Sequence, residues 1–236
     1  MSTTEKFHPA DQLLADFAGG KLSAGMSVVI AAHVEQCQTC SQMIARLEED
    51  ASSKWLAEEP ADSVAAAPAT DFSDIAANII QMPQVKDVAS VEPSHTEMHM
   101  LDHSVRLPKV LAKIASEGLV WKKLAGGINQ ASVALDDETQ CEFLYMKPGS
   151  QVPVHKHQGK EVTLVLDGSF SDELGKYGPA DFVVRDTSHT HQPASEEGCL
   201  CFAVLDSPLT FTSGLARLLN PFLKYRFKRA TSAGTL

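Results

Sequence analysis

Gly149-Ser-Gln-Val-Pro-Val-His155-Lys-His157-Gln-Gly-Lys-Glu161-Val-Thr-Leu-Val-Leu-Asp-Gly168 puts two histidines and a glutamate within reach of one point. In extended chain, side chains alternate between faces, so His155 and His157 project together. Glu161 has the same parity and joins them if the Gln158-Gly159 turn keeps register. Gly149 and Gly168 mark the ends, where the chain must turn tightly. Further short apolar runs surround this stretch: Leu119–Trp121, Ala131–Leu135, Glu142–Met146, Val162–Leu166, Phe182–Val184 and Leu200–Leu205. Gly, Pro and Asp separate them. From about Arg106 onward, this spacing predicts a β-sandwich or jelly-roll barrel.

The Gly149–Gly168 spacing resembles the first motif of the cupin family, and the resemblance covers roughly residues 106–205. Gly178-Pro179-Ala180-Asp181 resembles the turn of the family's second motif, with Ala180 where Gly is usual. A later histidine supplies the last ligand. With His191 in that role, Asp186 and Ser188 take the family's Pro and Gly positions and Gln192-Pro193 also fits, so His191 is chosen and His189 held in reserve. Ser195 stands where the family has Asn. His155, His157, Glu161 and His191 would hold a divalent ion, Zn²⁺ by first choice. Such donors also accept Mn²⁺, Fe²⁺ or Ni²⁺ and leave coordination positions open. Cys199 and Cys201 alternate onto one face as a redox-sensitive pair, a weak metal site or inert buried residues, and Cys141 lies on another strand.

Upstream, His33-Val-Glu-Gln-Cys37-Gln-Thr-Cys40 reads as helical. At 100° per residue its three soft donors fall within about a 60° arc. His8, the only other His or Cys among the first 90 residues, completes a Cys2His2 set that suits a closed, structural Zn²⁺ site. Helices are predicted from Asp11 to the Gly19-Gly20 breaker, from the Ser23 N-cap into His33, and from Ser41 to about Trp55. An Ala/Pro-rich linker follows at about 58–70. A fourth, amphipathic helix then runs from Asp71 to Pro83, with Phe72, Ile75, Ile79 and Ile80 on one stripe. His95, His99 and His103 repeat every four residues in a polar segment. Leu215–Phe222 and a basic tail end the chain.

The fold expected is therefore α + β in two domains: a small zinc-stapled helical bundle over 1–85, then a cupin-type barrel over 106–205. Residues 86–105 connect them and 206–236 form a C-terminal extension.

The net charge of −10 is uneven. Residues 1–85 carry 4 Lys/Arg against 12 Asp/Glu. Such acidity repels phosphates and argues against a DNA-reading zinc finger, while favouring a basic protein partner. The N-terminus lacks the pattern of a signal peptide, and no apolar run is long enough to span a membrane. Five cysteines, two in a C-x-x-C spacing, point to a reducing compartment and metal binding rather than a disulfide framework. A cytoplasmic location is expected.

The two motifs in this order resemble the ChrR family of zinc-binding anti-sigma factors over nearly the whole chain. His8, His33, Cys37 and Cys40 match the family's N-terminal zinc pattern, and His155, His157, Glu161 and His191 its cupin pattern. The resemblance implies an N-terminal domain that sequesters an extracytoplasmic-function sigma factor. It implies a cupin domain that releases it on oxidative stress of the singlet-oxygen type. It implies no enzyme, no direct nucleic-acid binding and no membrane. The alternative is a cupin metalloenzyme, of dioxygenase or isomerase type, with an N-terminal interaction module.

Overall fold

The computed structural model describes residues 7–57, 72–82, 97–100, 103–212 and 214–232. Three helices open the chain: α1 (Asp11–Ala18), α2 (Ala24–Gln36) and α3 (Gln38–Ala57). α1 stops where Gly20 takes a positive φ of 64°, as a glycine after a helix readily does. α2 starts at Ser23, whose hydroxyl accepts from the Met26 amide at 3.4 Å. The sequence reading carried one helix through His33, Cys37 and Cys40. Instead, Cys37 is extended (φ −121°, ψ 105°) and caps α2, so α2 and α3 meet at a corner. A later helix, α4 (Ser73–Gln81), falls within the predicted fourth helix. The predicted linker at 58–70, most of 86–105 and His95 lie outside the described residues.

The chain divides into two units, Met1–Glu48 with His95–Leu236, and Glu49–Ser94. In the first, β1 (Glu97–Met100) and β2 (His103–Arg106) form a hairpin that places His99 and His103 on strands. Their four-residue spacing is thus not a helical row. α5 (Lys109–Ser116) follows Pro108 where strand was expected. Val110, Leu111 and Ile114 give it a helical stripe, and it buries Leu111 and Ala112.

The β-rich region then runs through β3 (Lys122–Lys123), β4 (Ile128–Val133), β5 (Gln140–Met146), β6 (Ser150–Gln151), β7 (His155–His157) and β8 (Glu161–Gly168). It continues with β9 (Phe170–Asp172), β10 (Gly175–Tyr177), β11 (Phe182–Arg185), β12 (Thr190–His191), β13 (Ala194–Ser195), β14 (Cys199–Leu205) and β15 (Leu209–Phe211). A 3₁₀ turn at Leu215–Leu219 leads into α6 (Asn220–Ser232). The predicted run Leu119–Trp121 stops short of β3.

Six antiparallel strands make the main sheet, in the order β11-β8-β14-β5-β4-β3. Smaller sheets have the orders β10-β9-β13-β6 and β12-β7-β15. Among the described residues no sheet closes on itself, so the barrel is an open, cupin-like arrangement. Pro153 and Pro193, which have no amide hydrogen, separate β6 from β7 and β12 from β13.

Alternation along the main sheet separates its two faces. Phe143, Leu164, Leu200 and Phe202 pack with Leu14, Val29, Ile30 and Leu111 of the helices in one core. Val165, Val183, Cys199 and Cys201 form a second core on the opposite face. Fully burying side chains such as Val29 and Ile30 contributes about 2 kcal/mol each. The amide of Gly25, in the first turn of α2, donates to Asp136 at 2.6 Å. An added Cβ at Gly25 would lie 2.3 Å from Thr139 Oγ1 and 2.6 Å from Cys141 Sγ, so glycine permits this close docking.

Candidate metal centres

At the α2–α3 corner, His33 comes from the last turn of α2, Cys37 from the break and Cys40 from the first turn of α3. His8, ahead of α1, brings Nδ1 to 3.4 Å from both sulfurs, and His33 Nε2 lies 3.3 Å from Cys40 Sγ. One donor atom from each of the four lies within 4.8 Å of the others. His33 turns its second nitrogen, Nδ1, toward the Ala180 carbonyl at 2.9 Å. That contact assigns the proton to Nδ1 and leaves an Nε2 lone pair facing the sulfurs. Burial, together with neighbouring Cys37, pushes the Cys40 thiol up to about 12. A divalent cation here would supply the charge that deprotonates such a thiol, assisted by the N-terminal end of α3. The donor set fits a closed tetrahedral ion.

His155 and His157 leave β7 on one face, Glu161 opens β8 and His191 ends β12. Gly149 and Gly168, at φ 75° and 70°, make the turns that frame them. His191 Nε2 lies 3.0 Å from both His155 Nε2 and His157 Nε2. Glu161 Oε2 lies 3.0 Å from His157 Nε2. The outward nitrogens have partners: His155 Nδ1 donates to Pro153 O at 2.9 Å, and His191 Nδ1 to Asp172 Oδ2 at 3.1 Å. With those protons outside, the His155 and His191 lone pairs face the centre, where a divalent cation could sit among the four donors. His157 Nδ1 is buried without a protein hydrogen-bond partner.

Burial lowers His155 to about 4, so its ring is neutral at pH 7 and offers a lone pair. Burial alone would raise Glu161, but the His157 hydrogen bond and the three imidazoles bring it down to about 2. Neutral imidazoles beside a carboxylate are the ionisation states that a divalent ion takes. His189 sits outside the cluster, part-exposed and 2.9 Å from Asp186.

An apolar cavity of about 410 Å³ adjoins this cluster, lined by Leu144, Met146, Phe170, Val183, Phe211 and Phe222 among others. Cys201 also lines it, with its sulfur 3.3 Å from that of Cys199. Cys141 lies on the helix-covered face, where burial holds its thiol at about 12.

Residues 111–207 match the family model described as the ChrR cupin-like domain. Over 226 residues, 94% of this chain and 99% of the relative, the sequence is 33% identical to the anti-sigma-E factor ChrR of Cereibacter sphaeroides. The chain belongs to the ChrR family of anti-sigma factors. A solved structure of Rhodobacter sphaeroides SigE in complex with the anti-sigma ChrR matches at TM-score 0.66 and 27% identity, covering 86% of this chain and all of that one.

Both clusters of this ChrR-family chain assemble the eight residues singled out from its sequence, with His191 and not His189 in the second. Sequence reading missed the residues that hold them. Asp172, the last residue of β9, lies in the polar run Ser171-Asp172-Glu173, indistinguishable in sequence from a solvated loop, yet its side chain is fully buried against Arg185 and His191. Tyr177 showed no motif either, and Asp181 stood only as the last residue of the Gly178–Asp181 turn, with no partner indicated. The one available signal was Ala180, a non-glycine residue in a turn that demands positive φ, here 72°.

Proposed function

We propose that this chain is an anti-sigma factor that sequesters an extracytoplasmic-function sigma factor and frees it under oxidative stress of the singlet-oxygen type. The observation that carries the reading is similarity to ChrR along 94% of the chain, with the relative covered almost end to end. Acidic residues 1–85 offer charge complementarity to a basic DNA-binding protein. On α4 and its flanks, Phe72, Ile75, Ile79, Ile80 and Met82 are exposed, the last two by 76% and 62%. Such an apolar face suits a partner's groove.

In this reading His8, His33, Cys37 and Cys40 hold Zn²⁺, which fixes the inhibitory segment 1–85 in shape. His155, His157, Glu161 and His191 hold a second divalent ion, Zn²⁺ by first choice, in the sensing segment 106–205. These segments are functional divisions, and α2 lies in the same compact unit as the β-rich region. The protein works in the cytoplasm, where its partner engages RNA polymerase.

Co-expression of the full chain with candidate sigma factors tests this directly. A stable one-to-one complex that blocks transcription in vitro is the expected result. Failure to bind any sigma factor from the same genome would overturn it. The cavity beside the cupin cluster favours a second reading, a metalloenzyme. Turnover of a small substrate with oxygen uptake by the metal-loaded chain would support that instead.

A further inference from the structure

The polypeptide between Phe170 and Arg185 touches both candidate metal centres. At its start the Asp172 side chain is fully buried and its carboxylate is saturated. Oδ2 accepts from Arg185 Nε at 3.1 Å, Arg185 Nη2 at 2.7 Å and His191 Nδ1 at 3.1 Å. Oδ1 accepts from the Leu174 amide at 2.9 Å and the Tyr177 hydroxyl at 3.2 Å. Arg185 Nη2 also donates to the Tyr177 oxygen at 2.6 Å. A buried, fully bonded ion pair of this kind resists small displacements, because any lost bond leaves charge uncompensated.

From Tyr177 the contacts continue to the other centre by two arms. In the first, the Tyr177 ring packs edge-on against Phe7, with centroids 4.9 Å apart. The Phe7 backbone is fastened at both ends: its amide donates to Asp181 Oδ1 at 3.2 Å, and its carbonyl accepts from the Phe182 amide at 2.9 Å. The next residue is His8. In the second arm, Asp181 Oδ2 accepts from the Gly178 amide at 2.8 Å and the Ala180 amide donates to Val165 O at 2.9 Å. This fixes the turn whose Ala180 carbonyl accepts from His33 Nδ1. Of the two imidazoles of the His/Cys cluster, His8 is therefore held to the strap through Phe7, while His33 stays on α2 and takes its ring orientation from the strap; both thiols belong to the helical corner. A shift of the strap against that corner would draw His8 away from the sulfur donors and turn the His33 ring, and coordination distances tolerate only about 0.2 Å.

We propose that residues 170–185 couple the two centres, so that the state of the His155/His157/Glu161/His191 cluster sets how fast the His/Cys cluster releases its ion. Asp172 and Tyr177 are the positioning residues of this link. The proposal rests on the reading that both clusters bind metal, and supplies a route from sensor to inhibitory segment.

The test uses the full chain loaded with Co²⁺. Thiolate-to-cobalt charge-transfer absorption reports the His/Cys cluster alone, because the four cupin-cluster donors are nitrogen and oxygen. Its decay after adding excess chelator gives the release rate. Asp172→Asn and His191→Ala should each speed release about tenfold, within the range found when groups that orient metal ligands are removed. Their combination should be no faster than either alone, since both cut the same route, whereas independent destabilisation would multiply. Tyr177→Phe keeps the Phe7 contact, loses only the hydroxyl and should speed release severalfold, which keeps the test decisive if Asp172→Asn does not fold. Exposed Lys176→Ala should change nothing. Wild-type release rates in Asp172→Asn and Tyr177→Phe, or a multiplicative double variant, would overturn the coupling. Absence of the charge-transfer band in the wild-type chain would instead remove the metal reading beneath it.

Discussion

At the helical corner two thiols and two imidazoles converge, whereas at the strand ends three imidazoles meet a carboxylate beside an apolar cavity. Sulfur donors and a closed set of four suit an ion that holds shape and leaves no position for chemistry. Nitrogen and oxygen donors facing a cavity suit an ion that a small molecule can reach. In the proposed function, stability falls to one centre and response to the other, and the segment 170–185 lies against both.

Removing a thiol should have the largest effect. Structural Zn²⁺ sites supply on the order of 10 kcal/mol to the segment they hold. Cys37→Ser should therefore lose the corner's metal, measured by elemental analysis, and with it sigma binding. A Cys37→Ser chain that inhibits transcription normally would break the assignment of a holding role to this centre. At the other centre, Glu161→Gln should weaken metal affinity at least tenfold while leaving sigma binding intact and blunting release by oxidant. Loss of sigma binding in Glu161→Gln would erase the division between holding and sensing.

Acid should act next, and in the metal-free chain. His155 lies near 4 in the fold against an ordinary 6.5. The unfolded chain thus binds more protons between those values, and stability falls as pH drops from 6.5 toward 4. Glu161, near 2 against 4.5, adds its own loss below 4.5. Urea midpoints of chelator-treated protein should decline as pH falls through this window, and His155→Gln should flatten the decline. The smallest effect belongs to Ala180→Gly. It relieves a left-handed residue, and after glycine's greater unfolded-state freedom is offset should stabilise the chain by up to about 1 kcal/mol. The His33 contact, which uses only the Ala180 carbonyl, should survive.

What was legible in the sequence was local. Period 2 in His155-Lys-His157 and the glycines around it placed that cluster on strands, and Gly19-Gly20 and Ser23 placed helix ends. The break at Cys37 was not legible, because the helical spacing of His33, Cys37 and Cys40 is equally met by a corner between two helices. α5 was hidden by its apolar residues, which the surrounding strand-like runs absorbed. The contacts of Phe7 with Tyr177, Asp181 and Phe182 span long separations, 174 residues for the Phe7–Asp181 hydrogen bond. No short-range pattern encodes these. His8 was found only by elimination, as the one remaining soft donor in the N-terminal part.

The decisive preparation is the full chain co-purified with its sigma factor and analysed for metal. We expect a one-to-one complex in which the inhibitor carries both ions. A sigma factor that fails to bind the metal-loaded chain would contradict the central claim.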